Sequence, residues 1–149
     1  MLTVNLAENF TNFSKLVIDA SVAIKWFSSE IDQDKAVLVL ERVYQNKLTL
    51  AAPNLLIYEI GNALWKGKKL DEKRILAALD SLYFPSFNLA PLDIGSIKLA
   101  ISFMTRYDIT FYDAAYAGLA YEMGCPLLTA NPKHFQKISE IVVIELKEI

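Results

Sequence analysis

The sequence predicts an α/β fold built on a mainly parallel sheet of four to five strands. Short apolar, β-branched runs alternate along the chain with longer segments whose apolar residues keep helical spacing. The runs themselves are apolar on successive residues, the mark of strands covered on both faces. In order, "KLVIDA" (15–20) reads as the first strand, with Ser21 placed to cap a helix from Val22. A helix is expected over 34–44, with Ala36, Val37, Leu40 and Val43 as its apolar stripe. "LTLAA" (48–52) is the second strand, and Pro53 sits where a helix would begin, its stripe of Leu56, Ile60, Ala63 and Leu64 reaching Trp65 before Gly67 interrupts it. "DEKRILAALDSLYF" (71–84) is a further helix closed by Pro85, and "FNLAPL" (87–92) a third strand. Helices follow at 93–106 and 112–123, then "PLLTA" (126–130) and "IVVIEL" (141–146) as the last strands.

With 149 residues, 54% of them hydrophobic, the chain suits one domain with a full core. We place it at 16–149, behind an N-terminal extension of 1–15 in which Phe10 and Phe13 stand among polar residues. A net charge of −2 argues against bulk electrostatic coating of nucleic acid, so any such contact is local. The single cysteine, Cys125, excludes an internal disulfide and a cysteine-rich zinc site and suits a reducing compartment. The first residues lack the pattern of a signal peptide and no apolar run reaches membrane-spanning length, so a cytoplasmic protein with no membrane association is expected. A glycine-rich dinucleotide turn and a P-loop are both missing, as are the acidic pair and late-strand lysine of a phosphorylated regulator.

Residues just past the carboxyl ends of parallel strands converge on one crevice. Asp19 ends the first strand, Asn131 follows the fourth, Asp113 opens the helix leading into the fourth, and Glu59 falls on the shoulder of its helix's buried stripe. Taken singly, each has a plain structural account: Asp19 and Asn131 suit turns, "TFYD" from Thr110 to Asp113 suits a capping box, and Glu59 suits a solvated helix rim. Together they are harder to explain, because two charges about 4 Å apart repel by roughly 4 kcal/mol at an effective dielectric of about 20. Oxygen-only ligands of this kind suit Mg2+ or Mn2+ better than zinc. His134 reads as a surface residue. The only histidine and cysteine form no evident nucleophilic triad.

The segments "VIDASVAIKWF", "PNLLIYEIGNALWK" and "YDITFYDAAYAGLAYEMGCPLLTAN" resemble, in order and separation, a PIN domain, and specifically the VapC-type toxins of toxin–antitoxin pairs. The resemblance runs from Val17 to the C-terminus and implies a three-layer α/β/α sandwich and a metal-dependent endoribonuclease that cuts RNA. By carry-over, Asp19, Glu59 and Asp113 match the family's metal-site acids, with Thr129 and Ser21 accessory to them. Asn131 stands where the family usually has Asp, which removes one formal charge. One tightly held ion, with a second arriving with the RNA phosphate, is the expectation. Asp19 and Asp113 would bind the ion directly, while Glu59 ligates it or orients a water. Lys25, Lys66, Lys68, Lys69 and Arg106 are the candidate RNA-backbone contacts, although "WKGKK" also suits the dipole of a helix C-terminus. Trp26, Phe27, Tyr112 and Tyr116 are candidates for base stacking or for core. The resemblance also implies a VapB-type antitoxin partner and a homodimer, and "SLYFPSF" is compatible with an interface or with core. The rival reading is a PIN-like module that binds RNA or protein, its metal affinity weakened by Asn131.

Overall fold

The structure, a computed structural model, describes residues 10–149. Residues 1–9, the larger part of the expected extension, lie outside the described residues.

Strand β1 (Lys15–Ile18) is buried at Leu16, Val17 and Ile18 alike. Neighbouring side chains of a strand point to opposite faces, so three in succession can be buried only if both faces are covered. The same holds for β2 (Thr49–Pro53), buried from Leu50 to its end. With β3 (Phe87–Ala90), β4 (Leu127–Thr129) and β5 (Val143–Glu145) these strands form one parallel sheet in the order β3-β2-β1-β4-β5. From β1 the chain steps outward to β2 and β3, then returns to lay β4 against the free side of β1, with Val17 opposite Leu127 and Ile18 opposite Leu128. Strand order reverses there, and the carboxyl ends of β1 and β4 open the crevice that such a reversal creates.

The expected helices are present, with shifts that have local causes. Asp19, not Ser21, is the N-cap of α1 (Ala20–Ala23): its backbone is extended and its side chain accepts the Ser21 N–H. In α2 (Gln33–Tyr44) the buried positions are Ala36, Val39 and Val43, and Val37 faces solvent. Pro53 ends β2 instead of starting a helix, at the terminus of a central strand where its missing N–H does least harm. Helix α3 (Leu55–Asn62) follows and widens into a π turn over Ala63–Gly67, where the Lys68 N–H reaches the Ala63 carbonyl at 3.0 Å. Helix α4 (Glu72–Asp80) stops short of the expected end at 84. There the Ser81 hydroxyl donates to the Ala78 carbonyl at 2.6 Å, a side-chain bond that competes with helix continuation.

Helices α5 (Ile94–Tyr107) and α6 (Phe111–Met123) complete the layers. Buried Ala114, Ala117, Gly118 and Ala120 let α6 lie close to β1, β2, β4 and α5, and Gly124 ends it in the left-handed conformation that glycine adopts freely. Phe10 is buried in the core, with the Arg42 guanidinium 5.3 Å above its ring. The end of the expected extension is therefore part of the domain's packing.

Candidate active site

Asp19 sits where the strand order reverses and is 7% exposed. Its Oδ1 accepts the Ser21 N–H at 3.1 Å and the Ser21 hydroxyl at 2.5 Å, and its Oδ2 accepts the Thr129 hydroxyl at 2.6 Å. The same two hydroxyls accept from the chain just beyond β4: Ser21 Oγ from the Ala130 N–H at 2.8 Å and Thr129 Oγ1 from the Asn131 N–H at 2.9 Å. Each hydroxyl has one proton and spends it on Asp19, so the 3.3 Å approach between the two oxygens is a contact without a proton. The β1 and β4 ends are thus stitched together through one carboxylate. The turn reading of Asp19 holds, and the side chain that caps α1 also lines the crevice.

Glu59 is half-buried, not solvated, and its Oε2 accepts the hydroxyl of Tyr116, a residue 2% exposed. Burial raises the Glu59 pKa, the Tyr116 bond opposes this, and the charges of Asp19 and Asp113 raise it again, with a net upward shift. Burial likewise raises Asp19 above the usual carboxylate range despite the hydrogen bonds from Ser21 and Thr129. Burial and the neighbouring Glu59 push the Tyr116 phenol far above its ordinary value, so it stays a donor. Only half of the capping box at α6 forms: Thr110 Oγ1 accepts the Asp113 N–H at 3.1 Å, whereas the Asp113 carboxylate faces His134, with Nδ1 3.3 Å from Oδ2.

Asn131 is exposed at the crevice edge; among the described residues its hydrogen bonds run through its backbone, and its amide has no partner. Lys66 and Lys69 are exposed at the end of the π turn, and Lys68 pairs with Glu30 at 3.2 Å, a carboxylate that also feels the charge of Lys25. Arg106 is not brought to this set. It pairs with Glu140 at 2.7 Å, ahead of β5 and so at the amino-terminal edge of the parallel sheet, opposite the crevice. Trp26 belongs to the core, with its Nε1–H on the Ala36 carbonyl at 2.8 Å and its ring edge-on to Phe27 and Phe87. Tyr112 is exposed beside Asp113. Tyr116 and His134 are the site residues whose roles the sequence reading missed. Tyr116 follows Asp113 at helical i, i+3 spacing, which was the available signal.

Among the described residues, neither Asp19 nor Glu59 has a Lys, Arg or His within ion-pair distance. Carboxylates that oppose one another's ionisation and have no basic partner are either protonated or neutralised by a cation. As the side chains stand, no three Asp, Glu, His or Cys groups among the described residues close on one point.

The PIN domain family matches residues 16–141. Ribonuclease VapC1 of Mycobacterium tuberculosis is 29% identical over 78% of this chain and 86% of its own length. Ribonuclease VapC3 of Pyrobaculum aerophilum is 29% identical over 86% and 98%. Among solved structures, VapBC2 from Rickettsia felis bound to a DNA fragment from its promoter superposes with a TM-score of 0.69, at 17% identity over 88% of this chain and 98% of that one.

Proposed function

Because this chain belongs to the PIN-domain family, we propose that it is a metal-dependent endoribonuclease that hydrolyses RNA phosphodiesters as the toxin of a toxin–antitoxin pair. The observation that carries this reading is Asp19: a buried carboxylate at the reversal of strand order, near Glu59 and Asp113 and without a basic partner. Asp19 and Asp113 hold a Mg2+ or Mn2+ ion, and Glu59 ligates it or orients the attacking water. When bound, the ion supplies Lewis-acid chemistry to the phosphodiester and eases deprotonation of that water. Ser21 and Thr129 fix the Asp19 carboxylate, and the Asn131 amide oxygen offers a neutral ligand or a hold on a water. Lys25, Lys66, Lys68 and Lys69 take the RNA backbone.

The acidic crevice suits an antitoxin that presents a basic side chain to it. Exposed Tyr58, Trp65, Leu76 and Tyr83, on α3, its π extension, α4 and the turn beyond, support protein contacts with that antitoxin or with a second copy in a homodimer. Purified protein free of any partner, incubated with structured and single-stranded RNAs, is expected to cut internally with Mg2+ or Mn2+, to stop with EDTA, and to lose cleavage on Asp19→Ala. RNA bound but never cut, with either ion, would favour the second reading that the neutral, unpartnered Asn131 amide supports: a binding module whose site no longer holds its ion well.

A further inference from the structure

Of the four aromatic residues that could stack on a base, the fold leaves one open. Trp26 is hydrogen-bonded into the core, with its ring edge-on to Phe27 and Phe87, and Phe27 is itself partly buried against the core. Tyr116 is 2% exposed and gives its hydroxyl to Glu59. Tyr112 is 58% exposed, and among the described residues its ring meets no other aromatic and its hydroxyl has no hydrogen-bond partner. Its place on α6 sets that ring at the crevice. Successive residues of a helix are turned by about 100°, so Tyr116 lies about 40° from Tyr112, and Asp113 about 60° further in the same sense. Tyr116, on Glu59, and Asp113, on His134, mark the crevice side of α6. Tyr112 stands at the margin of that side, one turn nearer the helix start than Tyr116. Helical side chains tilt toward the N-terminus, which is the crevice end of α6, so the ring leans out over the rim.

An RNA that brings a phosphate to the acids finds little charge nearby to hold it. The acids repel phosphate until an ion is bound, Lys68 is paired with Glu30, and Arg106 lies on the far edge. An aromatic face adds affinity that does not depend on charge, because every base has a face to stack on it. Tyr112 is the chain neighbour of Asp113, about 3.8 Å away between Cα atoms, so a nucleotide whose phosphate sits at Asp113 has its base within reach of the ring. We propose that Tyr112 is the stacking platform for a nucleobase beside the scissile phosphodiester, and so a substrate-binding residue of this site. The inference rests on the reading that the three acids hold an ion and that the chain cleaves RNA. Contact with a protein partner is the rival use of the same ring.

The test pairs a change in the ring with a change in the base. A single-stranded oligoribonucleotide of mixed sequence is incubated with the full chain and Mn2+, and the bond that the wild type cuts is mapped. The same oligoribonucleotide is then made with an abasic nucleotide on one side of that bond or on the other. Tyr112→Ala is expected to raise KM about tenfold with kcat little changed, as lost ground-state binding does, and to bind Mn2+ as the wild type does by electron paramagnetic resonance. Tyr112→Phe, which keeps the ring, is expected to recover the wild-type KM. With one of the two abasic substrates the wild type is expected to show the same rise in KM, and Tyr112→Ala to add nothing to it, because ring and base act as a pair. An unchanged KM in Tyr112→Ala overturns the proposal and leaves the ring to a protein partner. A loss that Tyr112→Phe does not restore overturns it too, as does a loss that persists in full with both abasic substrates, since the contact is then not to a base. Loss of Mn2+ binding in Tyr112→Ala also overturns it, by showing that the ring serves Asp113. If the wild type cuts no oligoribonucleotide, or Asp19→Ala cuts as well as the wild type, the nuclease reading itself falls and takes the proposal with it.

Discussion

Thr129 shows how little of this site can be changed without consequence. It is fully buried, donates to Asp19 Oδ2 and accepts the Asn131 N–H, so its hydroxyl ties the acid to the start of the loop beyond β4. Replacing it by Val keeps the shape, removes both bonds and leaves the carboxylate one donor short. Thr129→Val is expected to lower unfolding stability by about 1–3 kcal/mol in urea titrations and to weaken cation binding by about tenfold or more. Stability lost with cation affinity intact would mean that Thr129 serves only the sheet. Asp19, Glu59 and Asp113 stood out in the sequence only as a set, because each alone suits a turn, a helix rim or a cap, whereas acids expected to converge at one end of the sheet repel one another. Tyr116 and His134 did not stand out, since a buried tyrosine and an exposed histidine are ordinary until one sees which carboxylate each faces. Arg106 shows the converse: a cation in the right part of the sequence whose charge is already met by Glu140 on the far edge.

At the scale of elements, α6 carries Asp113 to the crevice and Tyr116 beneath Glu59, and its closeness to the sheet depends on small side chains. The small residues of "YDAAYAGLA" permit this closeness, but the run by itself does not say which of them is indispensable. A methyl group at Gly118 would meet Leu99 at 3.7 Å, an ordinary contact. The glycine is therefore dispensable, and Gly118→Ala is expected to raise stability by about 0.5–1 kcal/mol, the usual gain inside a helix, while cleavage stays unchanged. A lower urea midpoint would show that α5 and α6 cannot move apart by even that much. Other elements were legible in type and less so at their ends. Helix α4 was read four residues too long because periodicity continued past Asp80, while a serine–carbonyl bond ended the helix. The π turn at Ala63–Gly67 left no trace in the apolar pattern, because one added residue per turn shifts a stripe by less than the pattern resolves.

For the whole molecule, a five-strand parallel sheet could be foreseen from alternating elements, but the reversal between β1 and β4 could not, since apolar strands do not name their neighbours. That reversal concentrates negative charge in the fold, and the charge makes a prediction about folding itself. Asp19 and Glu59 both have pKa values raised above their ordinary 3.8 and 4.5. The folded state therefore holds protons more tightly than the unfolded chain, and the stability this contributes is present below the ordinary values and lost as pH rises through the raised ones. In EDTA, thermal unfolding should show stability falling as pH climbs above the ordinary carboxylate values. Asp19→Asn, neutral throughout, should flatten that fall. An ion that binds only the folded chain opposes the loss: at about one hundred times its dissociation constant it adds roughly 2.7 kcal/mol, and the gain should grow with pH because the acids must be ionised to take it. Melting curves with EDTA and with Mn2+ across this range, for the wild type and Asp19→Asn, decide the matter. A wild type whose stability is flat in EDTA, or that gains nothing from Mn2+ at high pH, would show that the crevice acids are neutralised by the protein and not by a cation.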